Sequence, residues 1–231
     1  MTNQKRGKLI VLDGNEGSGK KTQSQILLNK LKGSGYKTAY FDFPQYGKTF
    51  FGKVVGSYLN GDFGGEADPY LASLSYAGDR WQASDAIKNN LATGKIVVSN
   101  RYIQANMGVQ AAKFSSVKKK NSYLGWLEEL EYEVYKIPKA DLVLYLHVPF
   151  KIGQKLVDKK TLRNYTKKKR DLYEDNTRFL QKVEKNYLWL SKKYTEWELI
   201  DCTDEKGKIL TIGQISDKVG EVVKRRLGLR V

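Results

Sequence analysis

With one cysteine and one histidine among 231 residues, two kinds of chemistry are excluded at once. Cys202 has no partner for an intrachain disulfide, which fits a reducing, cytoplasmic setting. His147 cannot build a multi-histidine metal site, and with Cys202 it falls short of the ligands a zinc cluster needs. Long hydrophobic runs are missing as well. The longest, Leu9–Leu12 and Leu142–Leu146, stop far below the roughly 20 residues that cross a bilayer, so no membrane partner is expected. The opening stretch MTNQKRGKLIVLDG has charge but no apolar h-region, and no signal peptide is read there. Proline is scarce, at 4 residues, and no repeat or low-complexity linker divides the chain, so residues 1–231 are read as one domain. Acid is the minority charge. Asp and Glu number 25 against 41 Lys and Arg, a formal net charge of +16. Such an excess attracts nucleic acid, anionic membranes or phosphorylated small molecules, without choosing among them.

Two hydrophobic periodicities alternate along the chain. Leu9–Leu12, Thr38–Phe43, Ile96–Val98, Leu142–His147 and Trp197–Asp201 read as strands. Helical spacing appears over Gln23–Lys32, Phe50–Leu59, Pro69–Leu91, Tyr123–Tyr135 and Ile212–Arg225, and two further helices flank a basic stretch near residues 160–170. Strands separated by helices predict an α/β fold with a parallel sheet, whose ligands bind beyond the carboxyl ends of the strands.

Between the first strand and the first helix lies Gly14-Asn15-Glu16-Gly17-Ser18-Gly19-Lys20, with the spacing G-x-x-x-x-G-K. Glycines let backbone N–H groups wrap phosphate oxygens, the helix N-terminus adds positive potential, and the lysine reaches the terminal phosphates. A glycine-rich turn that binds nothing is the plainer alternative, and the strand–loop–helix context weighs against it. Ser or Thr is expected after the lysine, as a ligand of Mg²⁺. Here Lys21 stands there and the hydroxyl follows at Thr22.

Further segments fall in an ordered set: Phe43-Pro44, SYAGDRW over Ser75–Trp81, SNRYIQANMGVQ over Ser99–Gln110, and PKADLVLYL over Pro138–Leu146. Together with LIVLDGNEGSGKKTQ over Leu9–Gln23, they resemble the thymidylate kinase family of nucleoside monophosphate kinases. The similarity runs from about Lys8 to the end of the sequence. The resemblance implies a P-loop kinase fold, with a five-stranded parallel sheet surrounded by helices and a mobile basic lid at about 159–171. It implies ATP-dependent phosphorylation of dTMP to dTDP, with Mg²⁺, and a homodimer.

The same resemblance assigns roles residue by residue. Gly14 to Thr22 would hold ATP, with Lys20 and Arg101 acting on the transferring phosphate. Glu16 would accept from the sugar 3′-hydroxyl, Tyr76 stack on the pyrimidine, Arg80 donate to the base edge, Phe43 form an apolar wall and Asn106 meet O4 and N3. Asp79 and Trp81 would support packing. Some members place an arginine two residues after the Phe-Pro pair; here Tyr46 stands there, with Lys48 nearby as an acceptor-phosphate cation. An aspartate usually precedes the arginine of the third strand, and here it is Asn100. Asn100 and Thr22 are therefore the weak candidates for the metal. With Lys21, the metal corner counts two charges more positive than a Thr/Asp pair would.

The basic stretch holds Lys159, Lys160, Arg163, Lys167, Lys168, Lys169 and Arg170 and no acid. In the resemblance it closes over ATP, with Arg163 and Arg170 as catalytic candidates, and Tyr173 beside Glu174 helps hold the acceptor. A solvated charge run is the bland alternative. Three other functions stay open: a kinase for another nucleoside monophosphate, a nucleoside kinase, and a degenerate kinase fold that binds nucleotide or nucleic acid without turnover. A nucleoside kinase needs a carboxylate base, whereas a monophosphate acceptor is already anionic and needs cations. Arg101, Arg80 and Lys48 favour the monophosphate, and nucleic acid is not expected as the partner.

Overall fold

The computed structural model describes residues 6–158 and 176–231. In chain order they form β1 (Leu9–Gly14), α1 (Lys20–Gly33), β2 (Thr38–Asp42), α2 (Phe50–Asn60), α3 (Pro69–Ala92), β3 (Ile96–Asn100) and α4 (Ile103–Val109). There follow α5 (Val117–Glu128), β4 (Leu142–His147), α6 (Phe150–Asp158), α7 (Thr177–Lys193), β5 (Trp197–Asp201) and α8 (Ile212–Leu227). The basic stretch with Arg163 and Arg170, and Tyr173 after it, lie outside the described residues.

The five strands form one parallel sheet in the order β2-β3-β1-β4-β5. β1 is central and buried at every position. Its side chains alternate between two cores. Leu9 and Val11 join Val97, Val143 and Tyr145 under α3, α4, α5 and α7. Ile10 and Leu12 join Val98, Leu144 and Leu146 under α1 and α8. A strand covered on both faces reads as a continuous apolar run, which is how the sequence shows it.

Local chemistry places the helix starts. Thr49 accepts from Gly52 N at the head of α2, Asp68 accepts from Tyr70 N ahead of Pro69, and Thr211 with Gln214 closes a capping box on α8. Two elements depart from the sequence pattern. The short α4 is buried nearly all round, so it carries no amphipathic stripe to find. The helix expected over Tyr123–Tyr135 starts earlier, where Ser116 accepts from Lys119 N, and widens after Glu128 into a π-helical turn, Glu129–Val134. The wider turn carries Glu131, fully buried, against Arg80 of α3.

Arg80 Nε donates to Glu131 Oε2 at 2.8 Å, Nη2 donates to Oε1, and Nη1 donates to the Tyr102 carbonyl at 3.3 Å. Breaking a buried pair from one side leaves an uncompensated charge. Glu131→Ala is expected to destabilise the protein by about 3–5 kcal/mol. Arg80→Met/Glu131→Leu, which removes both charges, should cost clearly less. Urea unfolding followed by circular dichroism checks the order, and equal losses would show that the charge left behind is not the cause.

Candidate active site

β1 runs directly into the glycine loop, and α1 begins at Lys20. Gly17 and Gly19 adopt φ of 79° and 80°, open to glycine and strained for other residues. A Cβ on Gly17 would also sit 2.3 Å from the carbonyl oxygen of Gly153 in α6. Only a bare backbone allows α6 to seat there. The loop is tied inward by Asn15 Nδ2, which donates to the Val148 carbonyl at 3.2 Å. Lys20 is buried, its Nζ donating to the carbonyls of Gly14 and Asn15 at 2.9 and 2.8 Å and lying 3.8 Å from Glu16 Oε1.

Beneath the loop lies Asp13, fully buried, which the sequence reading passed over. Its Oδ1 accepts from Gly14 N at 2.8 Å and from the Tyr187 hydroxyl at 3.2 Å. Burial pushes its carboxyl above the ordinary value, while Lys20 and Arg101 pull against that rise. The available signal was a carboxylate placed at the end of an otherwise apolar strand.

Arg101 follows β3 at a φ of 63°, a left-handed backbone that non-glycine residues rarely take. Arg101 N donates to the Leu12 carbonyl at 2.9 Å and Ser99 Oγ donates to the Arg101 carbonyl at 2.6 Å. This turn aims the guanidinium at the loop, where it pairs with Glu16. Two concavities meet at that pair. One is a polar cleft lined by Lys20, Lys21, Thr22, Phe43, Lys48 and Asn100. The other is a largely apolar cavity lined by Leu59, Tyr76, Val109, Phe150 and Val183, with the amides of Asn106 and Gln110 among them. Glu16 and Arg101 line both.

Most residues singled out from the sequence thus converge. Phe43 is buried on the cleft side, its ring packed between Phe41 and Tyr102. Asp79 is buried and accepts from Gln45 N at 2.8 Å and from Thr49, so it shapes the turn that carries Lys48. Gln110, one helical turn beyond Asn106, was missed; its Oε1 is buried with no hydrogen-bond partner among the described residues. Arg80 departs from the expected role of base-edge donor. It lines neither concavity, and its fork is closed on Glu131 and the Tyr102 carbonyl. It fixes α3 to the residue next to Arg101.

A family model described as thymidylate kinase matches residues 12–211. The chain belongs to the thymidylate kinase family. It is 28% identical over 192 residues to the thymidylate kinase of Schizosaccharomyces pombe, covering 78% of this chain and 85% of that protein. It is 29% identical over 200 residues to a probable thymidylate kinase of Thermococcus onnurineus, covering 84% and 88%. With human thymidylate kinase it shares 31% identity over 144 residues, a match that spans 62% of each chain. The solved thymidylate kinase of Candida albicans superposes with a TM-score of 0.72 at 25% identity, over 95% of this chain and 92% of that one. Family and fold together identify a P-loop nucleoside monophosphate kinase, a phosphotransferase that makes dTDP from dTMP with ATP as donor. They do not favour a degenerate fold that binds nucleic acid.

Beside the loop of this thymidylate kinase, His147 ends β4 with Nε2 2.8 Å from Glu184 Oε1 of α7. Glu184 Oε2 accepts from Phe150 N, at the head of α6, at 3.0 Å. One carboxylate therefore ties together the helices on either side of residues 159–175. Burial pushes Glu184 upward, but the His147 and Phe150 hydrogen bonds outweigh it and hold the carboxyl below its ordinary value of 4.5. A lowered carboxylate contributes stability above its unfolded value and loses it as pH falls through the folded one. Glu184→Gln should lower the urea midpoint at neutral pH, and the gap should narrow as pH falls from 4.5 downward. A constant gap across that window would remove the carboxylate from the account.

Proposed function

We propose that the γ-phosphoryl group passes from ATP on the glycine loop to dTMP in the Tyr76 cavity, across the Glu16–Arg101 pair. The observation that carries this reading is that Glu16 and Arg101 line both concavities, so two nucleotides would meet phosphate to phosphate there. An acceptor phosphate oxygen attacks the γ-phosphorus as the bond to the β–γ bridging oxygen breaks, releasing ADP. The acceptor is already anionic and needs no base, so positioning and charge neutralisation are the protein's task. Lys20 faces the donor, and Arg101 forks onto both phosphates. Lys48 receives the acceptor phosphate. Tyr76 offers a stacking face, and the Asn106 and Gln110 amides read the base edge. Glu16 accepts from the sugar hydroxyl. Arg163 and Arg170 from the basic stretch at about 159–171, with Tyr173 just after it, would complete the site, closing a single kinase domain.

The cleft fits a hydrated Mg²⁺ because its acceptors beside the loop are oxygens. They are the Thr22 hydroxyl, the Asp42 carboxylate and the buried Oδ1 of Asn100, which has no hydrogen-bond partner among the described residues. When bound with ATP, the cation neutralises phosphate charge. Two further readings accompany the chemistry. Leu71, Leu74 and Trp81 form an exposed apolar stripe along α3 beside the exposed Phe50 of α2, which supports a homodimer. Among the described residues no helix is long and apolar enough to cross a membrane, and the lone cysteine supports a cytoplasmic setting.

A coupled ADP-release assay with ATP and a panel of nucleoside monophosphates tests the substrate, and dTMP is expected to give the largest kcat/KM. Efficient turnover of another monophosphate with none of dTMP would sink the assignment. Lys20→Met keeps the aliphatic stem and removes the ammonium. It should lower kcat by about 100-fold or more, on the scale of losing one charged donor at a transition state. Unchanged kcat would show that the lysine does not face the transferring group.

A further inference from the structure

Asp42 is the last residue of β2 and belongs to none of the motifs that the sequence shows. Its carboxylate opens onto the phosphate-side cleft. Oδ1 accepts from Asn100 Nδ2 at 2.6 Å, and Oδ2 lies 3.4 Å from Lys21 Nζ. The contact with Asn100 is set by the sheet, because Asp42 and Asn100 are direct partners in the parallel β2–β3 register. Among the described residues, two carboxylates line this cleft, Glu16 and Asp42. Glu16 is engaged by Arg101 and Lys20. Asp42 is the one whose partners leave it facing the space beside the loop, with a third of its side chain exposed.

A carboxylate placed beside nucleotide phosphates repels them unless positive charge stands between. Lys21 supplies one unit. The remaining chemistry of the corner is acceptor chemistry. Asn100 donates its amide N–H to Asp42, which leaves its Oδ1 buried with no partner among the described residues, and Thr22 lines the same cleft. Mg²⁺ keeps several waters and is held through one or two carboxylates plus substrate phosphates, so one oriented carboxylate with neutral oxygens suffices. The count of charge made from the sequence also changes. Lys21 adds one unit and Asn100 in place of aspartate removes a negative one, but Asp42 returns that negative charge from the neighbouring strand.

We propose that Asp42, oriented by Asn100 and balanced by Lys21, is the protein carboxylate that accepts from the water shell of the nucleotide-bound Mg²⁺. The inference rests on the reading of this cleft as a metal–nucleotide site. Asn100 is a positioning residue, since it acts through Asp42.

Mn²⁺ serves as the probe, because free Mn²⁺ is counted by its electron paramagnetic resonance signal. The full chain is titrated with Mn²⁺ at saturating ADP, and ADP binding without metal is measured separately by calorimetry. Asp42→Asn should weaken Mn²⁺ binding to the protein–ADP complex by about tenfold, the scale of losing a partner of a metal's ligand shell. Metal-free ADP binding should be unchanged or tighter, because a negative charge has gone. Asp42→Asn/Asn100→Asp returns the carboxylate on the facing strand, and should recover Mn²⁺ affinity to within roughly threefold. Asp42→Ser gives the same reading if the isosteric amide disturbs the strand pair, with thermal melting as the check on folding. Unchanged Mn²⁺ affinity in Asp42→Asn overturns the proposal while leaving the nucleotide site standing. So does a double variant no better than the single one, which would make Asp42 a strand-pairing residue only. Failure of the unaltered protein to bind ADP would overturn the cleft reading itself, and the proposal with it.

Discussion

Burial of β1 on both faces is the constraint from which the site follows. Leu9, Ile10, Val11 and Leu12 are fully buried, and each such side chain contributes about 1.5–3 kcal/mol when removed from water. The strand is also hydrogen-bonded along both edges, to β3 and β4. A slip of one residue would exchange its two apolar sets and break both ladders, so its register is fixed. Gly14 therefore leaves the sheet at one point, and the loop that follows has one place to form. The same strand anchors Arg101 through the Leu12 carbonyl. Loop and arginine are positioned by one element, which is why two residues far apart in sequence share a pair of concavities.

Three cations of the cleft arrive with acids already beside them. Lys20 and Arg101 meet Glu16, Lys21 meets Asp42, and Asp13 lies buried under both Lys20 and Arg101. Unpaired, such groups would repel one another and seek solvent. Paired, they hold fixed directions, and fixed dipoles and charges need little reorganisation when an anion reacts. The net charge of +16 works at longer range, raising the encounter rate of phosphorylated substrates without orienting them.

The strands, their parallel order class and the glycine loop were legible because each rests on a local rule, either continuous apolar runs or a fixed spacing of Gly and Lys. Convergence of Tyr76, Asn106 and Arg101 followed from an ordered set of short motifs rather than from any one of them. What escaped was set by contacts across the fold. Arg80 looks identical in sequence whether its fork meets a base or Glu131, and the acid that captures it stands 51 residues away on a widened turn. Asp42 reads as an ordinary strand end until the register sets it beside Asn100. Gln110 caps a helix too evenly buried to show a face. Roles assigned to Arg163, Arg170 and Tyr173 fall outside the described residues.

The backbone contact between Gly17 and Gly153 bears on how this sequence can drift. A Cβ at Gly17 would meet the Gly153 carbonyl oxygen at 2.3 Å, and a Cβ at Gly153 would meet the Glu16 carbonyl oxygen at 2.4 Å. Neither obstacle is a side chain that could rotate aside, and a methyl on both residues collides twice. No second change at the partner position rescues the first, so ordinary compensatory substitution is closed to this pair. Mutational freedom is pushed outward, into the side chains around the contact. The seat of α6 on the phosphate loop would persist through sequence change that erases much of what surrounds it.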